Sequence, residues 1–152
     1  MATIDLNRVS EEGFIRRLEA ISTSEQRRWG TLDPACLMRH LTYVFEASLN
    51  EQQSEKVFVP LPRFALWYLF FVWFTNWPEG KIKAPESFCP DGDGALEEER
   101  ARCVAALGRF VDALEATPDQ KGFSPLLGNI SLRRWSRVHG VHLAHHLRQY
   151  GV

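Results

Sequence analysis

This sequence of 152 residues lacks most marks of disulfide-rich, secreted or nucleic-acid-binding proteins. Its three cysteines, Cys36, Cys89 and Cys103, are odd in number and widely spaced, which argues against a disulfide framework and a paired-cysteine zinc site. With 18 basic and 19 acidic residues, the formal charge of −1 provides no basic surface for nucleic acid or an anionic membrane. The N-terminus has no signal-peptide pattern. We expect one cytoplasmic domain, residues 1–152.

A long hydrophobic run is also missing. The segment FALWYLFFVWF, residues 64–74, is uncharged, but a helix that crosses a bilayer needs about 20 apolar residues. We interpret this aromatic run as a buried helix. The alternatives are a contact between two copies of the chain, which would make a homodimer, and an anchor on a membrane surface.

The sequence has no sustained alternation of polar and apolar residues, which would predict half-buried strands. Capping residues and apolar stripes at helical spacing predict an all-α protein instead. We expect the first helix to begin at Ser10, as its N-cap, and the second to begin after Asp33 and run to about Asn50. The aromatic helix covers about 62–76, the fourth about 95–116, and the last runs from about 131 almost to the C-terminus. Prolines and glycines in residues 77–94 predict a long loop, which either lines a pocket or only connects helices.

Histidines are concentrated near the end of the chain, where four of the five lie between His139 and His146. Side chains at His142 and His146, four residues apart on a helix, are about 40° apart around its axis and can reach the same point. His145 lies on the flank of this stripe and is an alternative partner for His142. His40 takes a core position on the second helix. The inward stripe of the last helix is Leu132, Trp135, His139, His142, His146 and Gln149.

Imidazoles that project into a helical core need partners, because each unpaired buried polar group costs on the order of 1–3 kcal/mol. A divalent metal bound by His40, His142 and His146 would provide them. The alternatives are hydrogen-bonded structural histidines or a partly exposed cluster. Cys36, one turn before His40, is either a thiolate ligand or a small core residue. Gln149 either supports a ligand through a hydrogen bond or lies in solvent.

Three stretches, RWGTLDPACLMRHL, KIKAPESF and WSRVHGVHLAHHLRQYG, resemble an uncharacterised bacterial branch of the DinB-like superfamily of metal-binding helix bundles. The specific parts are the early histidine of the second helix and the pattern H-x-x-x-H-x-x-Q, which here is His142, His146 and Gln149. The resemblance implies an up-down-down-up four-helix bundle with a long crossover and an additional short helix. It also implies that His40, His142 and His146 hold a divalent metal, for which we expect Zn²⁺ or Ni²⁺. Where the commoner ending has a glycine before the glutamine, this chain has Arg148.

Some DinB-like relatives are similar to S-transferases that use a low-molecular-weight thiol. We therefore expect a metal-dependent enzyme that activates a thiol or water toward a small-molecule substrate. A metal-dependent hydrolase would also need a general base, and no carboxylate in the sequence is an evident candidate. The aromatic helix and residues 77–88 are candidates for an apolar substrate wall, whereas Trp29 either anchors the turn before the second helix or lines a pocket. The alternative is a non-catalytic metal-binding or structural bundle that dimerises through its aromatic helix.

Overall fold

A computed structural model describes residues 4–23, 27–69, 71, 77–81 and 90–152. This part of the chain is mostly helical, with a small two-stranded sheet before the last helix. The elements in chain order are α1 (Arg8–Ala20), α2 (Pro34–Ser48), α3 (Arg63–Tyr68), α4 (Leu96–Ala116), β1 (Lys121–Ser124), β2 (Gly128–Ser131) and α5 (Leu132–Tyr150).

Helix α1 begins before the predicted Ser10 cap. Asn7 is the N-cap, and its side chain accepts hydrogen bonds from the backbone N–H groups of Val9 and Ser10. Ser10 is the reciprocal partner, since its hydroxyl accepts from the Asn7 N–H at 3.0 Å and completes a capping box. The sequence therefore contained the right motif, but the first residue of the pair, and not the second, starts the helix.

Helices α2, α4 and α5 begin close to their predicted positions. Asp33 caps α2 by accepting from the Cys36 N–H at 2.9 Å, and Pro34 supplies the first helical residue. Ser131 is the N-cap residue of α5 but makes no side-chain capping bond. Helix α2 packs most extensively against α4 and also contacts α5, while α1 contacts α4 and α5. These four helices contribute most of the buried apolar residues, and Leu66 of α3 and Ile130 of β2 add to them.

Apolar side chains of α1, α2 and α4 make up much of the core. Cys103 is fully buried, and burial raises the pKa of its thiol to about 12, so that it packs as a small apolar residue. Cys36 and Cys103 are free thiols, and Cys89 lies outside the described residues. Fully or nearly fully buried side chains of the core include Phe14, Leu18, Ile21, Leu37, Met38, Leu41, Phe45, Leu107, Phe110 and Val111.

A β-hairpin corrects the all-α prediction. Strands β1 and β2 pair antiparallel, with Lys121 opposite Ser131 and Ser124 opposite Gly128. The strands are four residues long, too short for an alternation to stand out in the sequence. Gly122 allows the hairpin to pack closely on the end of α2, where a Cβ atom would collide with the Ser48 carbonyl.

The aromatic helix is only partly described. Helix α3 covers Arg63–Tyr68, and residues 70 and 72–76 of the predicted helix lie outside the described part of the chain. Leu66 is buried, whereas Phe64 and Tyr68 are exposed, so this segment is not the fully buried helix that we predicted. Among the described residues, no helix has the length and apolar character that a membrane crossing would require.

Candidate metal centre

Three histidines from two helices meet in the core between α2 and α5. The ligand-type atoms of His40, His142 and His146 all lie within 4.8 Å of one another, and all three side chains are buried. Along α5, His142 and His146 are one turn apart on the face that packs against α2, as their spacing predicts. His40 reaches the same point from α2. The structure thus brings together the residues named as candidate ligands, and they could hold a metal ion.

The distances between the ring nitrogens suit a single small cation. His142 Nε2 lies 2.9 Å from His40 Nε2 and 3.0 Å from His146 Nε2. Tetrahedral zinc, with Zn–N bonds of about 2.0–2.1 Å, would separate its nitrogen ligands by about 3.3 Å. Movements of a few tenths of an ångström would therefore adapt these rings to a metal. The residues present fit the group that the resemblance implies.

The surroundings favour the neutral form of His142 and His146, and neutral imidazole is the form that binds metals. Burial, and to a smaller extent repulsion from His40, lowers the pKa of His146 to about 3. Burial also lowers the pKa of His142 well below its usual value, with added repulsion from His146 and His40. Protonation of one ring would place a charge in the core beside two other rings, so lone pairs are favoured at this point.

Gln149 determines which nitrogen of His146 carries the proton. The amide Nε2 of Gln149 donates to the backbone carbonyl of Trp29 at 2.6 Å, so its Oε1 faces the histidine. His146 Nδ1–H donates to that oxygen at 2.9 Å, because the oxygen can only accept. The Nε2 lone pair of His146 therefore points at His40 and His142. Of the two alternatives for Gln149, the structure shows the supporting hydrogen bond, and the side chain is buried.

The turn that carries Trp29 is fastened to the end of α5. The Arg28 N–H donates to the Gln149 carbonyl at 2.7 Å. Gly30 has φ of +82°, and a Cβ atom there would collide with the amide of Gln149. Only glycine meets both conditions at no steric cost, so Gly30 permits the contact between this turn and Gln149.

His139 lies on the same face of α5 but does not join the cluster. The Ser48 hydroxyl donates to the Phe45 carbonyl at 2.6 Å, which leaves its oxygen to accept from His139 Nε2–H at 3.0 Å. The ring stacks on Trp135 at a centroid distance of 5.0 Å and also contacts Phe45 and Phe110. Burial lowers the pKa of His139 to about 3. This histidine is a hydrogen-bonded core residue.

His145 and two tryptophans flank the cluster. The His145 ring lies 5.2 Å from that of His146, and its centroid lies 5.9 Å from both Trp29 and Trp77. Trp77 also contacts His142 at 5.2 Å. His145 is thus a neighbour of the cluster and not one of its three converging rings. The two tryptophans therefore pack beside the cluster; residues 82–89 of the predicted loop lie outside the described part.

Cys36, the possible thiolate ligand, does not belong to the cluster. Within the described ranges, the group contains three histidines, without Cys36 and without a carboxylate. An all-imidazole set adds no negative charge, so a bound dication would retain its full charge.

Comparison with known proteins identifies a family without an assigned activity. The family model described as "Protein of unknown function (DUF1569)" matches residues 3–151, and the chain therefore belongs to this family. Neither the comparison with curated proteins nor the comparison with solved structures gave a match.

Proposed function

Since membership of this family assigns no reaction, we propose from the site itself that the protein is a metal-dependent enzyme that activates a thiol or water. The observation that carries the proposal is the convergence of three buried imidazoles, His40, His142 and His146, in a cluster that includes none of the described carboxylates. Zn²⁺ or Ni²⁺ held by neutral ligands acts as a Lewis acid, which lowers the pKa of a thiol or water that binds to it. We also propose that its helices form a DinB-like four-helix bundle of up-down-down-up topology.

The chain's own residues would prepare this site for an exchangeable ligand. Three protein ligands leave at least one coordination position open, as in catalytic zinc sites. Gln149 holds the His146 ring in the tautomer that offers Nε2. Trp77, in contact with His142, would keep bulk water away from one side and pack against an apolar substrate. Transfer of the thiol to an electrophilic small molecule is the reaction that we favour over hydrolysis, because in the described part of the chain the cluster includes no carboxylate that would act as a general base.

Elemental analysis and a thiol-binding assay test the proposal together. Native protein should contain about one divalent metal per chain, and His40→Ala should lose it. After Co²⁺ substitution, addition of 2-mercaptoethanol at pH 7 should produce a thiolate-to-cobalt charge-transfer band. Absence of metal in the native protein and after incubation with Zn²⁺, Ni²⁺ or Co²⁺ would refute the proposal. A bound metal that accepts no thiol and no other exchangeable ligand would indicate a structural site.

One observation favours a second candidate, a non-catalytic bundle that dimerises through its aromatic segment. Large apolar side chains of this segment and of the residues just before it are exposed: Phe64 at 77% and Tyr68 at 52% in the segment, and Phe58 at 88% and Leu61 at 46% before it. Several exposed aromatics in one stretch are typical of an interaction surface.

Light scattering distinguishes a monomer from a dimer. If the aromatic segment joins two copies, wild-type protein should have the mass of a dimer, and Phe64→Asp should have that of a monomer. Val9→Asp is the matched control, because Val9 is an exposed apolar residue of α1 with 96% exposure. A monomeric wild type at concentrations of about 100 μM would rule out a stable dimer of this kind.

A further inference from the structure

Two buried polar atoms beside the histidine cluster have no hydrogen-bond partner. They are Nε1 of Trp29 and Nδ1 of His145. Among the described residues only three buried side-chain nitrogens or oxygens are unpaired in this way, and these two belong to neighbouring rings whose centroids are 5.9 Å apart. An unpaired buried polar group costs about 1–3 kcal/mol, so a pair of them in one place calls for an explanation.

The two atoms are complementary in hydrogen-bonding character. Trp29 Nε1–H can only donate. His145 has a hydrogen bond to the backbone of Trp77, and because its Nδ1 is unpaired, this bond uses Nε2–H and leaves Nδ1 as an acceptor. A donor and an acceptor thus lie on adjacent rings without bonding to each other. A group that both accepts and donates, such as a hydroxyl or an amide, would satisfy both.

The backbone at Trp29 and the ring of His145 are both constrained. The turn of Trp29 is fastened to α5, because the Trp29 carbonyl accepts from Gln149 and the Arg28 N–H donates to the same residue. His145 has an exposure of 6% and its ring packs against His146 and Trp77. The two unpaired atoms therefore belong to residues that also contact the cluster or the residue that supports it.

We infer that Trp29 Nε1 and His145 Nδ1 form a polar subsite that binds a hydroxyl or amide group of the substrate or co-substrate next to the metal centre. The inference rests on the proposed function and adds the substrate class: a small molecule with one metal-binding atom and a hydroxyl or amide at a short distance from it. Trp77 contacts both His142 and His145, so the ligand would lie along its ring between the two points.

Pairs of matched thiols measure whether the subsite favours a hydroxyl group, and this test does not require knowledge of the natural substrate. The probes are 2-mercaptoethanol, 3-mercaptopropanol and 4-mercaptobutanol, each paired with the alkanethiol that has a methyl group in place of the hydroxyl. Their affinities for the Co²⁺ protein are read from the charge-transfer band. At the chain length that reaches the subsite, the hydroxyl compound should bind about 10-fold more tightly than its alkanethiol, as expected for two additional hydrogen bonds.

Substitutions locate the effect. Trp29→Phe removes the indole N–H but keeps the backbone carbonyl that Gln149 uses, and His145→Leu removes the acceptor; each should abolish the hydroxyl preference while metal content stays near one per chain. Trp67→Phe, on α3 and in contact with Phe71, is the control and should retain the preference. If wild-type protein binds all six thiols without a hydroxyl preference, the inference is wrong and the metal proposal stands. If no metal or thiol binds at all, the proposed function fails first. An intact preference in both variants would also overturn the inference, and wild-type data remain decisive if a variant does not fold.

Discussion

His139 and His142 lie one turn apart on the buried face of α5, yet their surroundings give them different roles. The ring of His139 is enclosed by Trp135, Phe45 and Phe110, and its Nε2–H donates to Ser48. His142 instead points Nε2 at two other imidazole nitrogens, 2.9 and 3.0 Å away. Burial and a lowered pKa are common to both residues and do not separate them. What separates a core histidine from a candidate ligand is the partner of its ring nitrogen.

The largest effect that we expect from this comparison is on metal affinity. His142→Ala removes the nitrogen that lies between the other two, and should weaken Zn²⁺ binding by about 1,000-fold, since each ligand supplies a share of the roughly 10–16 kcal/mol that four-ligand zinc sites gain. His139→Leu should bind Zn²⁺ as the wild type does. Competition titration against a chelator of known affinity measures both. Equal losses of Zn²⁺ affinity in the two variants would contradict the distinction between His142 as a ligand and His139 as a core residue.

The stability of the metal-free protein should depend more on His139 than on His142. His139→Ala leaves a cavity between three aromatic rings and an unpaired Ser48, and should lower the free energy of unfolding by about 3 kcal/mol. His142→Ala should cost the metal-free protein less, because His142 Nε2 faces two other ring nitrogens and a neutral ring has at most one proton to share between them. Urea denaturation of the metal-free proteins gives both values. A smaller loss in His139→Ala than in His142→Ala would contradict the core role of His139.

Gln149 should have an intermediate effect on the metal. Gln149→Leu removes the acceptor for His146 Nδ1–H and should weaken Zn²⁺ binding by about 10–100-fold, the usual range for a residue that orients a ligand. Arg148→Gln changes the neighbouring residue on α5 and provides the control. Full retention of affinity in Gln149→Leu would show that the His146 ring needs no such support.

Counted per pH unit, the smallest expected effect is the pH dependence of the metal-free protein. Burial lowers the pKa of His139 from its usual value of about 6.5 to about 3, so the unfolded chain takes up the proton first as pH falls. Stability from this group is complete above about pH 6.5 and falls by about 1.4 kcal/mol per pH unit between there and about pH 3. His139→Leu should show a slope smaller by one proton. Identical slopes for the two proteins between pH 6 and 4 would mean that His139 is not buried in neutral form.

Local sequence patterns predicted most of the helices, and they also predicted that His142 and His146 lie on the same face of the last helix. The caps at Asp33 and Ser131 and the i, i+4 spacing depend on neighbouring residues, which are visible in the sequence. Asn7 was missed because Ser10 and the acidic residues after it are also good helix starters. The hairpin was missed because four-residue strands leave too little pattern.

Features that depend on packing between distant segments could not be derived from spacing. The convergence of His40 with α5 depends on how α2 packs on that helix. The role of His139 is decided by Ser48, 91 residues away, and no local signal links the two. The unpaired atoms of Trp29 and His145 likewise depend on the turn that Gln149 holds, although the aromatic character of Trp29 already suggested a pocket wall.

The most direct test is a crystal structure of the Zn²⁺-loaded protein with anomalous data collected on both sides of the zinc absorption edge. We expect one anomalous peak between α2 and α5, about 2.0–2.1 Å from Nε2 of His40, His142 and His146, with at least one further position open to solvent or ligand. A peak at another place, or no peak here at saturating Zn²⁺, would contradict the metal centre and leave the three histidines as part of the core.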